Sequence, residues 1–479
     1  MSDEQVNQMF RELLGKNISL EDIRRIEMEL TEIYQKNGYL NTVVNFFPED
    51  NRKLEEGKGI IVFRARESQV EIEIKGLYHL KKSYVHDRLS PYVASPPNIN
   101  QIQEGLILLQ QNDLISEVNA RLIPGTKNNQ VLEIDIRESP RWEISSDWSN
   151  EESPLIGEWG AEIMLSNKNL FGFGDKAQLQ YKGTEGLERF LSSLIIPVNS
   201  NDGIIKLSYQ FTNSEIIVAP FDSLEIRNES FTLSGAFQQP LIQTPSDKFN
   251  LGINVDHRES RSFLFNDFPF SFSENVRDGF TELTVLRFNQ SYQTRDSDDV
   301  FSISSQLNIG WSNLINQSSF TSWQGQIQYV HLFNDRLRFS SRLSGQVGGG
   351  DLPTLEQCAI GGLNGNEFIF GNTVRGYATN VRSGDNCFAL SSELLVTIIQ
   401  DSSFGNWSLV PFIDLGTVSN GNSEGEDSVN TLISTGLGLR WEISDWLVLR
   451  LDYGVPLSRE VNEIEEQREN FSIFLRIPL

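Results

Sequence analysis

Cysteine is nearly absent: Cys358 and Cys387 are the two in 479 residues. So few exclude a disulfide-stapled scaffold and a structural zinc site, and their spacing matches no metal-ligand motif. The pair is able to form one bridge in an oxidising compartment, but nothing in the sequence sets their distance. Histidine is scarce too, with His79, His86, His257 and His331 scattered along the chain. No GxSxG, HExxH or phosphate-loop pattern occurs, so no catalytic centre, metal or cofactor is expected. Long apolar runs are missing: no stretch reaches the ~18 to 20 residues a spanning helix requires, which excludes an α-helical membrane protein. Positive charge is in deficit. The net charge is −25, and no basic patch is dense enough to neutralise a run of phosphates, so nucleic acid is excluded as a partner. The mildly negative mean hydropathy decides nothing, because a barrel alternating lipid-facing and water-facing residues averages to the same value. Residues 1–5 are acidic and lack the basic and apolar regions of a secretory leader, so an exported form is expected to carry its leader upstream.

What is present changes character near Pro140. Before it, helical periodicity recurs; after it, only period-two alternation and turn signals do. Ser19 and Asp22 form a capping-box pattern, Ile23, Ile26, Leu30, Ile33 and Tyr34 fall on one helical face, and Asn37-Gly38 is a helix stop. Strand-like runs follow at 40–47 and 59–66. A second unit reads as strand 69–76, helix 82–89 ended by Pro91, helix 99–111, and strands 115–124 and 130–138. This β-α-α-β-β order, preceded by a unit lacking its first strand, resembles two POTRA domains in tandem. POTRA modules receive extended clients as an added strand at a sheet edge. Taken alone, the pattern equally fits another small α+β domain.

From Arg141 onward the alternation persists. Ile205, Leu207, Tyr209 and Phe211 share one face, and Lys206, Ser208 and Gln210 the other. Phe301, Ile303, Leu307, Ile309 and Trp311 likewise oppose Ser302, Ser304, Gln306 and Asn308. The final runs set Leu447, Leu449, Leu451 and Tyr453 against Arg450 and Asp452, then Phe471, Ile473, Leu475, Ile477 and Leu479 against Ser472 and Arg476. About 340 residues at about 20 per strand and connection give about 16 strands. Closure requires the first and last strands to pair, since an open edge in lipid leaves backbone groups unsatisfied. A blade-length repeat, the mark of a propeller, is missing. Trp142, Trp148, Trp311, Trp323 and Trp441 near strand ends suit interface girdles.

The most specific stretch is residues 352–395, LPTLEQCAIGGLNGNEFIFGNTVRGYATNVRSGDNCFALSSELL, followed by PFIDLG at 411–416. In the latter, Val410, Phe412 and Asp414 share the face opposite Trp407, Leu409, Ile413 and Leu415, so Asp414 is expected to face a lumen. Arg375, flanked by Gly371 and Gly376, is free to fold toward it, and a guanidinium is the natural bidentate partner of a carboxylate. Glu393 also alternates inward.

The IGG, VRGY, SGD, SSEL and FID elements, in this order, resemble the two-partner secretion transporters, the TpsB family that exports haemolysins and filamentous haemagglutinins. With the POTRA-like units and the NLFGFGD stretch at 169–175, expected to open the barrel, the resemblance covers nearly the whole chain. It implies α+β POTRA domains (1–67, N-terminally truncated, and 68–139) followed by a transmembrane barrel (140–479) of about 16 antiparallel strands with an inward-folded VRGY loop. It further implies that Arg375 and Asp414 lock that loop inside the barrel, with Val374, Gly376, Tyr377 and Phe412 as motif positions. The implied function is export of an unfolded partner exoprotein, received by the POTRA domains and passed through the lumen. The protein is expected to be a monomer in the lipid of a bacterial outer membrane, with its POTRA domains in the periplasm and with export driven by passenger folding outside. An insertase of the same superfamily, which usually carries more POTRA units, a passive porin and a soluble β-rich interaction protein are the alternatives. Cys358 and Cys387 depart from the family pattern.

Overall fold

The computed structural model describes residues 18–39, 42–47, 63–66, 69–126, 129–265, 267–272, 276–313, 319–349, 352–363, 372–401, 404–420, 429–444, 446–458 and 466–478. The chain divides into two compact units, Met1–Ser139 and Pro140–Leu479.

In the first unit, helix Leu20–Lys36 begins at a capping box. Ser19 Oγ accepts the Asp22 N–H at 3.1 Å, and the Asp22 carboxylate accepts the Ser19 N–H at 3.0 Å, which satisfies donors the helix cannot pair internally. Ile26 and Leu30 are buried against Val44, with Phe63 packed beside them. The helix stops at Asn37, and Gly38 follows at φ 91°, a conformation glycine adopts without strain. Strands Val43–Phe46 and Phe63–Arg66 pair antiparallel. The rest of the two runs expected there, 40–41 and 59–62, lies outside the described residues.

A second sheet follows, with Gln130–Glu138 at its centre, parallel to Val70–Lys75 and antiparallel to Ile115–Pro124. Helices Lys82–Leu89 and Ile99–Gln110 pack on it through Val85, Leu89, Ile102 and Leu109 against Ile74, Leu132, Ile134 and Ile136. Pro91 sits in the short 3₁₀ turn Ser90–Val93, where its fixed φ fits and a continued helix would not. Glu138 closes the turn before the first helix, because its carboxylate accepts the backbone N–H groups of Tyr78, His79 and Leu80 at 2.8–2.9 Å. Burial opposes ionisation there, but these backbone donors outweigh it and hold the Glu138 carboxyl below its ordinary range.

The second unit is a closed antiparallel barrel of sixteen strands among the described residues, from Trp142–Ser149 to Glu469–Pro478. Its seam is the pairing of those two strands, with registers from Ser472 opposite Ser149 to Pro478 opposite Glu143. Leu479 lies outside the described residues. Along Ile204–Glu215 the side chains Ile205, Leu207, Tyr209 and Phe211 are exposed, whereas Ser208 and Gln210 are half-buried. The same parity leaves Ile303, Leu307 and Trp311 exposed and buries Gln306 and Asn308. An apolar outer face and a polar inner one are what a cylinder in lipid requires. Trp142, Trp148, Trp311 and Trp323 are exposed, and Trp441 stacks on Trp407 with ring centroids 4.5 Å apart.

One placement differs from expectation. Residues 169–175 do not open the barrel; they turn between its second and third strands, Gly160–Asn167 and Lys176–Gly183. The turn exists because Asp175 gathers backbone donors: Leu170 and Phe171 N–H each reach its carboxylate at 3.0 Å, and Asn169 Oδ1 accepts the Gly174 N–H. Gly172 and Gly174 supply the positive φ this wrap needs. A turn motif does not reveal how many strands precede it.

Two outcomes are expected. Leu207→Lys, on the apolar face, should destabilise the vesicle-inserted barrel by about 2–4 kcal/mol, and Ser208→Lys, on the polar face, far less; urea unfolding in lipid vesicles measures both. Glu138→Gln should weaken the 78–80 turn by about 1–3 kcal/mol, read by amide exchange on the whole protein. Because the folded-state pKa is depressed, the wild-type contribution is present above the ordinary carboxylate range and is lost as pH falls below it.

Candidate functional site

The site lies on the connection between strands Leu337–Gly348 and Asn386–Asp401, residues 349–385. Val374 bridges back to Gly362, its N–H donating to the Gly362 carbonyl at 3.1 Å, so the VRGY segment is held against the IGG segment. Val374 packs with Ile360, Tyr377, Cys387, Val418 and Leu432, an apolar cluster shared by the loop and three barrel strands. Gly376 and Tyr377 pair with Gln467 and Glu466. The Tyr377 hydroxyl donates to the Ile433 carbonyl at 2.7 Å and accepts the Ser458 N–H at 3.2 Å.

Arg375 is 1% exposed and Asp414 0%. Arg375 Nε and Nη2 meet the two Asp414 carboxylate oxygens at 2.7 and 2.9 Å, and the Arg375 backbone N–H donates to the same group at 3.0 Å. This two-pronged arrangement gives each charge a matched partner where water does not reach. Ser391 Oγ donates to Asp414 at 2.7 Å and accepts from Arg375 Nη2 at 3.2 Å. Nη1 donates to Glu393 at 3.1 Å and lies 3.9 Å from Asp452. The guanidinium stacks on the Phe412 ring, 3.6 Å from its centroid, a cation–π contact strengthened by desolvation. Asp452 in turn binds Arg440 at 2.9 Å and Arg450 at 2.6 Å. Three arginines thus face three carboxylates, and the cluster is neutral as a set.

Val410, Phe412, Asp414 and Val418 are buried and Ile413 between them is exposed, so the carboxylate occupies the face away from the apolar exterior. Arg375, Asp414, Glu393, Val374, Gly376, Tyr377 and Phe412 all come together here. Gly371 lies outside the described residues. Cys358 and Cys387 are joined as a disulfide, with Cα atoms 6.2 Å apart, tying the start of the loop to the strand that ends it.

Sequence reasoning missed the floor beneath the loop. A Cβ on Gly416 would lie 2.7 Å from Val374; on Gly436, 2.4 Å from the Phe412 ring; on Gly454, 2.5 Å from the Gly376 nitrogen. Gly416 and Gly454 therefore lie where the loop presses closest, and Gly436 on the strand between them leaves room for the Phe412 ring on which the Arg375 guanidinium stacks. Gly376, at φ 93°, makes the corner that lets Arg375 turn down beside it. The signal was present as GLG at 436–438 and YG at 453–454, but glycines in strands have several uses and only the register assigns this one. Ser391, Asp452 and the pair Arg440–Arg450 were likewise missed; each is ordinary lumen polarity until the strands are aligned.

The family model for the Omp85 superfamily domain matches residues 169–476, and that for the ShlB-type POTRA domain matches residues 1–61. Two heme/hemopexin transporter proteins HuxB of Haemophilus influenzae are 20% and 21% identical, each covering 96% of this chain and 82% of the relative. Among solved structures, CdiB from Escherichia coli superposes with a TM-score of 0.74 at 16% identity, covering 100% of this chain and 88% of the other. CdiB from Acinetobacter baumannii gives 0.70 at 16%, again covering 100% and 88%. BamA from Haemophilus ducreyi lacking POTRA domains 1–3 gives 0.59 at 14%, covering 100% and 98%.

Gly454→Ala removes no charge, yet its methyl group would collide with the Gly376 backbone. It should loosen residues 374–377, raising their amide exchange by about tenfold or more, while the barrel keeps its heat-modifiable mobility. Unchanged protection would show that the close approach is not needed.

Proposed function

We propose that this chain, which belongs to the Omp85 superfamily, exports a dedicated partner polypeptide through its barrel in the manner of a two-partner secretion transporter. The barrel sits in a bacterial outer membrane and the POTRA region in the periplasm, as for members of this superfamily that carry both. Membership is that of a translocator rather than of an enzyme family.

The observation that carries the proposal is the buried Arg375–Asp414 pair: a loop connecting two strands delivers its arginine to the polar face of a closed barrel. A loop so placed occupies the lumen and closes the pore at rest. Movement of that loop then admits a chain. Cargo is first received in the periplasm. In the second sheet, Val70–Lys75 and Ile115–Pro124 each have one paired side among the described residues, which supports addition of an extended client strand. We assign the domains as 1–67, 68–139 and 140–479; the division into compact units at Ser139 and Pro140 supports the last boundary. The assembly works as a monomer, because closure leaves the barrel no strand edge that requires a second copy. The cargo is a secreted exoprotein, expected in the neighbouring reading frame as a large β-helical protein.

Arg375→Ala and Asp414→Ala each strand one buried charge, at a cost of about 3–5 kcal/mol. Each should abolish or strongly impair appearance of the co-expressed exoprotein in the medium while the barrel still inserts. Wild-type secretion by both variants would refute the lock.

A further inference from the structure

A second buried ionic cluster holds the same loop at a different wall. Glu356, 7% exposed, receives Arg287 through both guanidinium arms, Nη1 at 3.0 Å and Nη2 at 2.8 Å. Arg287 Nε meets Asp256 at 2.6 Å, and Arg258 Nη1 donates to the Leu355 carbonyl at 3.0 Å. Asp256 and Arg258 belong to strand Asp247–Leu264 and Arg287 to strand Phe280–Arg295. Around the ring, four strands stand between Phe280–Arg295 and the strand of Asp414, Gly405–Ser419.

The seat is built for this arm. Leu352 is buried with Leu283, Val285 and Phe320, and Leu355 packs against them. Three glutamines on the next three strands form a ladder: Gln306 donates to Gln324 at 2.8 Å, Gln324 to Gln346 at 2.6 Å, and Gln346 to the Glu356 carbonyl at 2.9 Å. Five adjacent strands thus converge on one turn of the loop. The Cys358–Cys387 disulfide lies between this turn and Arg375 along the chain and fixes the loop to strand Asn386–Asp401 there.

We propose that Glu356, with Arg287 and Asp256, is a second lock. The loop is then a strap fixed to two walls, and opening the pore requires both fixings to let go. Glu356 and Arg287 are positioning residues, acting on cargo passage only through the loop. A two-pronged carboxylate–guanidinium pair out of water is costly to break singly, so neither anchor yields as a by-product of losing the other. The proposal rests on the reading of the loop as the closing element of an exporter, but its physical content is independence of the two anchors, which needs no cargo to measure.

The test uses the full chain in lipid vesicles and planar bilayers, with Glu356→Gln, Arg375→Ala and the double variant. Heat-modifiable mobility confirms that each barrel is folded, and Glu356→Gln leaves the apolar seat in place. Glu356→Gln should speed amide exchange at Leu352 and Glu356 about a hundredfold while residues 374–377 stay protected; Arg375→Ala should do the reverse. Large, stable open conductance should appear only in the double variant. Loss of protection at both places in either single variant, or a single variant as open as the double, would overturn the second lock. If secretion proves indifferent to Arg375 and Asp414 while the two regions still exchange independently, the gating role of the Arg375–Asp414 pair in export fails and the two-anchor attachment of the loop stands.

Discussion

A carboxylate with no access to water is stable as an anion only if a cation is brought to it, and Asp414 is such a group. Its own strand cannot supply the cation. Arg375 arrives from a loop 39 positions earlier in the chain and meets it through three hydrogen bonds. Everything around the pair follows from accommodating that arrival. Phe412 offers its ring to the guanidinium, Ser391 fills the remaining carboxylate lone pair, and Glu393 and Asp452, which also approach Arg375, are balanced by Arg440 and Arg450. The interaction ties a loop to the barrel wall, which is the attachment that the proposed closing role requires.

Space is the companion constraint. A loop backbone cannot lie on a sheet whose inner face is filled with side chains; Gly416 and Gly454 leave a bare floor where it presses closest, and Gly436 between them makes room for the Phe412 ring. In an ordinary strand these glycines would weaken the sheet for no return. Here the closed hydrogen-bonded cylinder carries the stability, so three strands tolerate them. Farther round the ring the solution differs: apolar side chains and a glutamine ladder receive the Leu352–Glu356 turn in place of a glycine floor.

Lipid and water impose these terms with different reach. On the outside, each strand answers to lipid independently, and exposed Leu207, Ile303, Leu451 and Tyr453 satisfy it one residue at a time. On the inside, polar side chains answer to each other across strands. Substitutions on the two faces therefore have different consequences: outward ones act through transfer to lipid, and inward ones through networks that span several strands.

The amino-acid sequence by itself determined the two-part organisation, the helix caps, the strand count and the inward parity of Asp414. Each of these is encoded locally: capping needs residues three apart, and a half-lipid, half-water environment stamps period two on every strand. The Arg375–Asp414 pairing was legible because both residues sit in short, ordered motifs. The tertiary structure alone decided the rest. Whether Cys358 meets Cys387, across 29 residues, depended on the loop path. That Glu356 finds Arg287, 69 positions away, and that Gly454 underlies Gly376 depend on the register of strands around a ring. Residues 169–175 were misplaced for the same reason, since a turn records its own geometry and not its rank. Local periodicity names the face a residue occupies; only closure of the cylinder names its neighbour.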